Sequence, residues 1–142
     1  EISKTAAEEN ITVIVENHPG TMTRTGENTY KLINEVGSDF VKSLYDPANV
    51  MHDTDEPWEY TYDVQKDVIA YVHVKDFFMV GSERKACSVG KGIVPWDKIM
   101  KKLEAWYDGN LSFEYEKRWY PDQLEDAEIG VKECMEYIKS VL

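Results

Sequence analysis

Cysteine is scarce in this chain: only Cys87 and Cys134 occur among 142 residues, and no C-x-x-C spacing joins them. A disulfide framework and a thiolate metal knuckle are thereby excluded, and the pair reads as reduced thiols in a cytoplasmic protein. Long apolar runs are missing as well. None approaches the roughly 18 residues of a membrane span, and the opening EISKTAAEEN lacks the basic and apolar regions of an export signal. Basic charge is outnumbered, with 16 Lys and Arg against 27 Asp and Glu, for a formal net charge of −11. Such a surface repels phosphate backbones and anionic lipid. Neither nucleic acid nor a membrane is therefore expected as a partner, whereas cations and small polar ligands are. The G-x-x-x-x-G-K-[ST] phosphate loop is also absent, so Gly90-Lys91-Gly92 reads as a loop needing unusual backbone angles.

Apolar material is ample, at 42% hydrophobic and 12% aromatic residues, enough for one domain over residues 1–142. EISKTAAEEN holds good helix formers, so the chain opens inside or just after a helix. Ile11 to Val15, ITVIV, is a β-branched block suited to a parallel strand buried on both faces. It stops at Pro19-Gly20, and a helix is expected from Thr29 to Val36. The pattern recurs with a strand from Phe40 to Asp46, a loop through PANVMHDTDEP, and a helix from about Pro57 to Lys66. A strand from Val68 to Asp76 leads into a long loop containing GSERKACSVGKG, then a helix from near Pro95 to near Tyr107. Asn110 to Glu116 makes a further strand, and the apolar spacing from Leu124 to Leu142 predicts an outer helix. Strands alternating with helices in this way define an α/β fold with four parallel strands.

Chemistry is concentrated at the strand ends. Glu16, Asp46, His73 and Glu114 each fall at or near the C-terminal end of a different expected strand, the edge at which parallel α/β folds bind ligands. Three carboxylates gathered without a cation repel one another, so a single divalent ion, Mn²⁺, Mg²⁺, Co²⁺ or Zn²⁺, is the expected counter-charge.

IVENHPG (Ile14 to Gly20), DPAN (Asp46 to Asn49), VHVKD (Val72 to Asp76), VGKGIVPW (Val89 to Trp96) and DGNLSFEYE (Asp108 to Glu116) follow one another over nearly the whole chain. In that order they resemble the sugar phosphate isomerase/epimerase family, the xylose isomerase-like TIM barrels related to ketose 3-epimerases. The resemblance implies the C-terminal half of a (β/α)₈ barrel, with a missing N-terminal half or a second copy of the chain as partner. It implies Glu16, Asp46, His73 and Glu114 as metal ligands. It further implies an isomerase or epimerase of a sugar, sugar phosphate or related polyol ketone, working by proton transfer through a metal-stabilised enediolate. Glu16 and Glu114 are then the acid/base pair. A dehydratase uses the same chemistry, and the related AP endonucleases share the scaffold. Those nucleases carry a histidine where this chain has Asn49, which disfavours a multinuclear zinc site here. Ketose 3-epimerases place an arginine shortly after the histidine matching His73, and this chain does not. A non-catalytic α/β binding domain is the remaining alternative.

Substrate contacts are expected from His18, Asn49, Lys75, Lys91 and Trp119. For His18 the competing reading is a loop histidine bonded locally, and for Lys75 an ion pair at the strand end. Trp58, Trp96 and Trp106 read as helix packing residues, and His52 as an exposed one.

Overall fold

The computed structural model describes residues 1–54 and 56–142. Asp55, part of the loop expected after Pro47, lies outside the described residues. The elements run α1 (Ile2–Glu8), β1 (Val13–Glu16), α2 (Gly26–Val36), β2 (Val41–Tyr45), α3 (Pro47–Asp53), α4 (Trp58–Gln65), β3 (Ile69–Val74), β4 (Asp76–Val80), β5 (Glu83–Cys87), α5 (Trp96–Glu104), β6 (Asn110–Phe113) and α6 (Ala127–Val141). The fold is α/β, with parallel strands in the order β1-β2-β3 and a separate pair of β4 with β5. Two units divide the chain, Glu1–His73 and Val74–Leu142.

In the first unit the expected strands form with their C-terminal ends aligned, but β1 opens only at Val13 and is not buried on both faces as ITVIV suggested, Ile14 being 39% exposed. β1 pairs β2 in parallel with Glu16 opposite Leu44, and β2 pairs β3 in parallel with Tyr45 opposite Val72. Ser43 and Tyr45 lie on the β2 face toward α4, where Ser43 donates to Gln65 Oε1 and the Tyr45 hydroxyl to the Trp58 carbonyl, and Val41 and Leu44 are buried as well. α2 begins where the Thr25 hydroxyl accepts the Asn28 N–H, satisfying one of the amides a helix start leaves unpaired. α3 is a correction to the loop expected through PANVMHDTDEP. Pro47 sits in its first turn, and Asp46 caps it by accepting from the Asn49 N–H. Burial of Pro47, Ala48, Asn49 and Val50 holds the short helix in place, because a seven-residue helix has little stability of its own.

The second unit also departs from expectation. The region read as a strand continuing to Asp76 and then a long loop is an antiparallel hairpin, with Asp76 opposite Cys87 and Val80 opposite Glu83. Gly81, at φ +63, opens its two-residue turn, where the reversed twist requires a positive φ. α5 buries Trp96, Ile99, Met100 and Leu103, one face at helical spacing. α6 likewise buries Gly130, Cys134 and Ile138. Trp96 is fully buried as expected, but Trp106 is 44% exposed and stacks edge-on against Tyr107 instead of filling a core. In the first unit Trp58 is buried and His52 exposed, both as expected. Both cysteines are free thiols. Burial, and then the charge of Asp76, pushes the Cys87 thiol up to about 12, so it stays protonated at neutral pH.

Candidate metal centre

Glu16 is the last residue of β1, Asp46 follows β2 directly, and His73 is the penultimate residue of β3. Parallel pairing therefore delivers the three side chains to one edge. His73 Nδ1 lies 3.3 Å from Glu16 Oε1 and 3.7 Å from Asp46 Oδ2. One potential ligand atom from each residue falls within 4.8 Å of those from the others. The Asp46 side chain is 0% exposed and that of Glu16 is 26% exposed, so the two carboxylates converge where water screens them poorly.

Two asparagines brace this edge. Asn17, completely buried, donates from Nδ2 to the Asp46 carbonyl (2.6 Å) and accepts the Asp46 N–H on Oδ1 (2.9 Å). The residue after Glu16 thus clamps the main chain of Asp46. Asn49 donates from Nδ2 to Glu16 Oε1 and to the Asn17 carbonyl, each at 3.1 Å. Behind Glu16, Thr23 donates its hydroxyl to the Glu16 carbonyl (2.8 Å), and Thr29 donates to the Thr23 carbonyl (2.9 Å). Sequence reasoning did not single out Asn17. The available signal is an amide next to a strand-end acid, in a position where a buried polar group must find partners.

In the second unit Glu114 follows β6, and its N–H donates to the Val74 carbonyl at 3.1 Å. Lys75 is 6% exposed and donates from Nζ to Glu114 Oε2 at 2.6 Å. The neighbouring Asp76 takes four main-chain N–H bonds, from Phe77 and Val94 on Oδ1 and from Gly90 and Gly92 on Oδ2. Burial pushes its carboxyl up, and those N–H groups, led by Val94, pull it back only in part. Gly90, at φ +88, needs the left-handed backbone foreseen for the Gly90-Lys91-Gly92 loop. Trp96 Nε1 donates to the Lys75 carbonyl at 3.0 Å, tying the VGKGIVPW segment to VHVKD.

The other expected substrate contacts are dispersed. His18 is exposed with Nδ1 2.8 Å from the Pro19 carbonyl, which matches the local reading of a loop histidine. Lys91 donates to Glu133 Oε2 at 2.6 Å on the surface. Trp119 is 69% exposed, with the Arg118 guanidinium 5.1 Å over its ring.

Two carboxylates and an imidazole within mutual reach fit a divalent cation of the Mg²⁺, Mn²⁺, Co²⁺ or Zn²⁺ type, since hard oxygen and borderline nitrogen donors suit all four. The class so defined is an α/β protein with an acidic, histidine-containing site at the C-terminal edge of parallel strands. The sequence matches the xylose isomerase-like TIM barrel over residues 1–141, and the chain belongs to that family. No curated protein matches it. Among solved structures it is similar to the probable 3-DHS dehydratase AsbF of Bacillus anthracis, at TM-score 0.80 and 21% identity, covering 97% of this chain and 53% of that one. It is similar to a xylose isomerase-like TIM barrel protein of Mycobacterium smegmatis in complex with magnesium (TM-score 0.78, 19% identity, 99% of this chain, 46% of that). D-allulose 3-epimerase of Methylomonas sp. in complex with D-allulose gives TM-score 0.80 at 17% identity over 99% of this chain and 52% of that. The chain thus spans about half the length of the structures it resembles, and its fold matches half of a TIM barrel.

Proposed function

We propose that the chain is the last four βα units of a cytoplasmic barrel enzyme, an isomerase or epimerase of a sugar, sugar phosphate or related polyol ketone that depends on one divalent cation. The observation that carries this reading is the convergence of Glu16, Asp46 and His73 at the ends of three parallel strands. Glu114 is the proposed fourth ligand, on the strength of the family resemblance of DGNLSFEYE and its strand-end place.

A bound cation would supply Lewis acidity to adjacent carbonyl and hydroxyl oxygens of the sugar, easing loss of the neighbouring C–H proton. This chain's own residues then carry the proton. Glu16 and Glu114 are the proposed base and acid, one removing the proton and the other returning it. The Lys75 ammonium, 2.6 Å from Glu114 Oε2, orients that carboxylate with a charge-assisted hydrogen bond. Lys75 is the proposed contact to sugar hydroxyls. The absent half of the barrel, supplied by the rest of the protein or by a second copy of the chain, would complete the pocket.

Metal analysis of the intact protein, followed by a screen of ketoses and their phosphates with Mn²⁺, tests the proposal. Glu114→Gln is expected to remove turnover, a fall of at least about 10²-fold, with the far-UV circular dichroism unchanged. Full activity in that variant would refute the acid/base assignment. Conversion of a cyclic polyol ketone to a dehydrated product would instead move the protein to the dehydratases of the same scaffold.

A further inference from the structure

Asn49 is 3% exposed, and its Nδ2 donates to both Glu16 Oε1 and the Asn17 carbonyl. An amide nitrogen carries two hydrogens, so both are already committed, and a sugar hydroxyl would have to displace one of them. The main-chain N–H of the same residue is the group that Asp46 Oδ1 caps at 2.9 Å. Asn49 therefore touches both carboxylates that converge on His73, Glu16 through its side chain and Asp46 through its backbone. The Glu16 side chain, 26% exposed, has rotamers open to water, and a fixed donor on one oxygen narrows that choice.

We infer that Asn49 is a positioning residue of the cation centre, holding the Glu16 carboxylate toward Asp46 and His73, and not a substrate contact. The inference rests on the reading of Glu16, Asp46 and His73 as cation ligands. Its energetic basis is that a ligand already turned to face the cation loses little freedom on binding.

Mn²⁺ titrated calorimetrically into the intact wild-type protein, Asn49→Leu, Glu16→Ala and the double variant, below all four melting temperatures, tests it. Asn49→Leu should weaken Mn²⁺ binding about tenfold. The double variant should bind no more weakly than Glu16→Ala, because the group that Asn49 acts through is gone. Where the leucine variant does not fold, Asn49→Ala asks the same question. Wild-type affinity in the Asn49 variant, or losses that add in full, would overturn the inference while leaving the cation reading intact. A wild-type protein that binds no Mn²⁺ would overturn both, and the first titration alone would show it.

Discussion

Asp76 commits both carboxylate oxygens to main-chain N–H groups, two on each. In Asp76→Asn either orientation of the amide turns its NH₂ toward two N–H donors, so the acceptor is lost and donors oppose one another. Chemical denaturation should show a loss of about 2 kcal/mol or more, and an unchanged midpoint would show that the loop does not depend on this carboxylate. At this scale the strand-end acids and His73 were legible in the sequence. An imidazole in an apolar strand, and acids just after β-branched runs, are conspicuous against their surroundings. Asn17, Asn49 in its bracing role, and Asp76 as organiser of the Gly90-Lys91-Gly92 loop were not. Apart from Glu16 Oε1, 33 residues from Asn49, and the adjacent Phe77 N–H on Asp76, their partners are main-chain groups 14 to 32 residues away, and main-chain groups leave no sequence signature.

Among the elements, α3 shows one side chain serving two purposes. Asp46 Oδ1 caps the helix while Oδ2 faces His73. Asp46→Asn keeps an oxygen able to cap and removes the charge, whereas Asp46→Ala removes both. The asparagine variant should therefore melt close to wild type while losing Mn²⁺ binding, and the alanine variant should lose about 1 kcal/mol more. Equal destabilisation of the two would argue against the cap. The strands and the longer helices were readable because their apolar periods extend over several residues. α3 was not, being seven residues long and opening on proline, with burial deciding its conformation. The hairpin escaped for a different reason: Asp76–Val80 directly prolongs the apolar run of β3, and the charges of Glu83–Cys87 resemble a loop until their alternation is paired with a partner strand.

For the molecule as a whole, the share of the family fold present decides what surface is left open. β1 ends the strand order of its sheet. A groove beside it, about 470 Å³, is lined by Ile2, Val13, Val15, Val36 and Val41. Ile2 and Ile11 are 73% and 58% exposed. Unpaired strand edges bordered by apolar side chains invite association. The 142-residue chain on its own is expected to self-associate in size-exclusion chromatography with light scattering, and Ile2→Lys with Ile11→Lys to shift it toward monomer. A wild-type monomer would count against this. No helix among the described residues is long and apolar enough to cross a membrane. The hairpin tip also has a practical use. A Cβ built at Gly81 meets nothing within 4 Å, and Ser82 beside it is exposed. With the Cys87 thiol raised to about 12 and Cys134 buried, a cysteine engineered in place of Ser82 would be the fast-reacting thiol. A fluorophore attached there would report on the protein's behaviour from the β4–β5 turn.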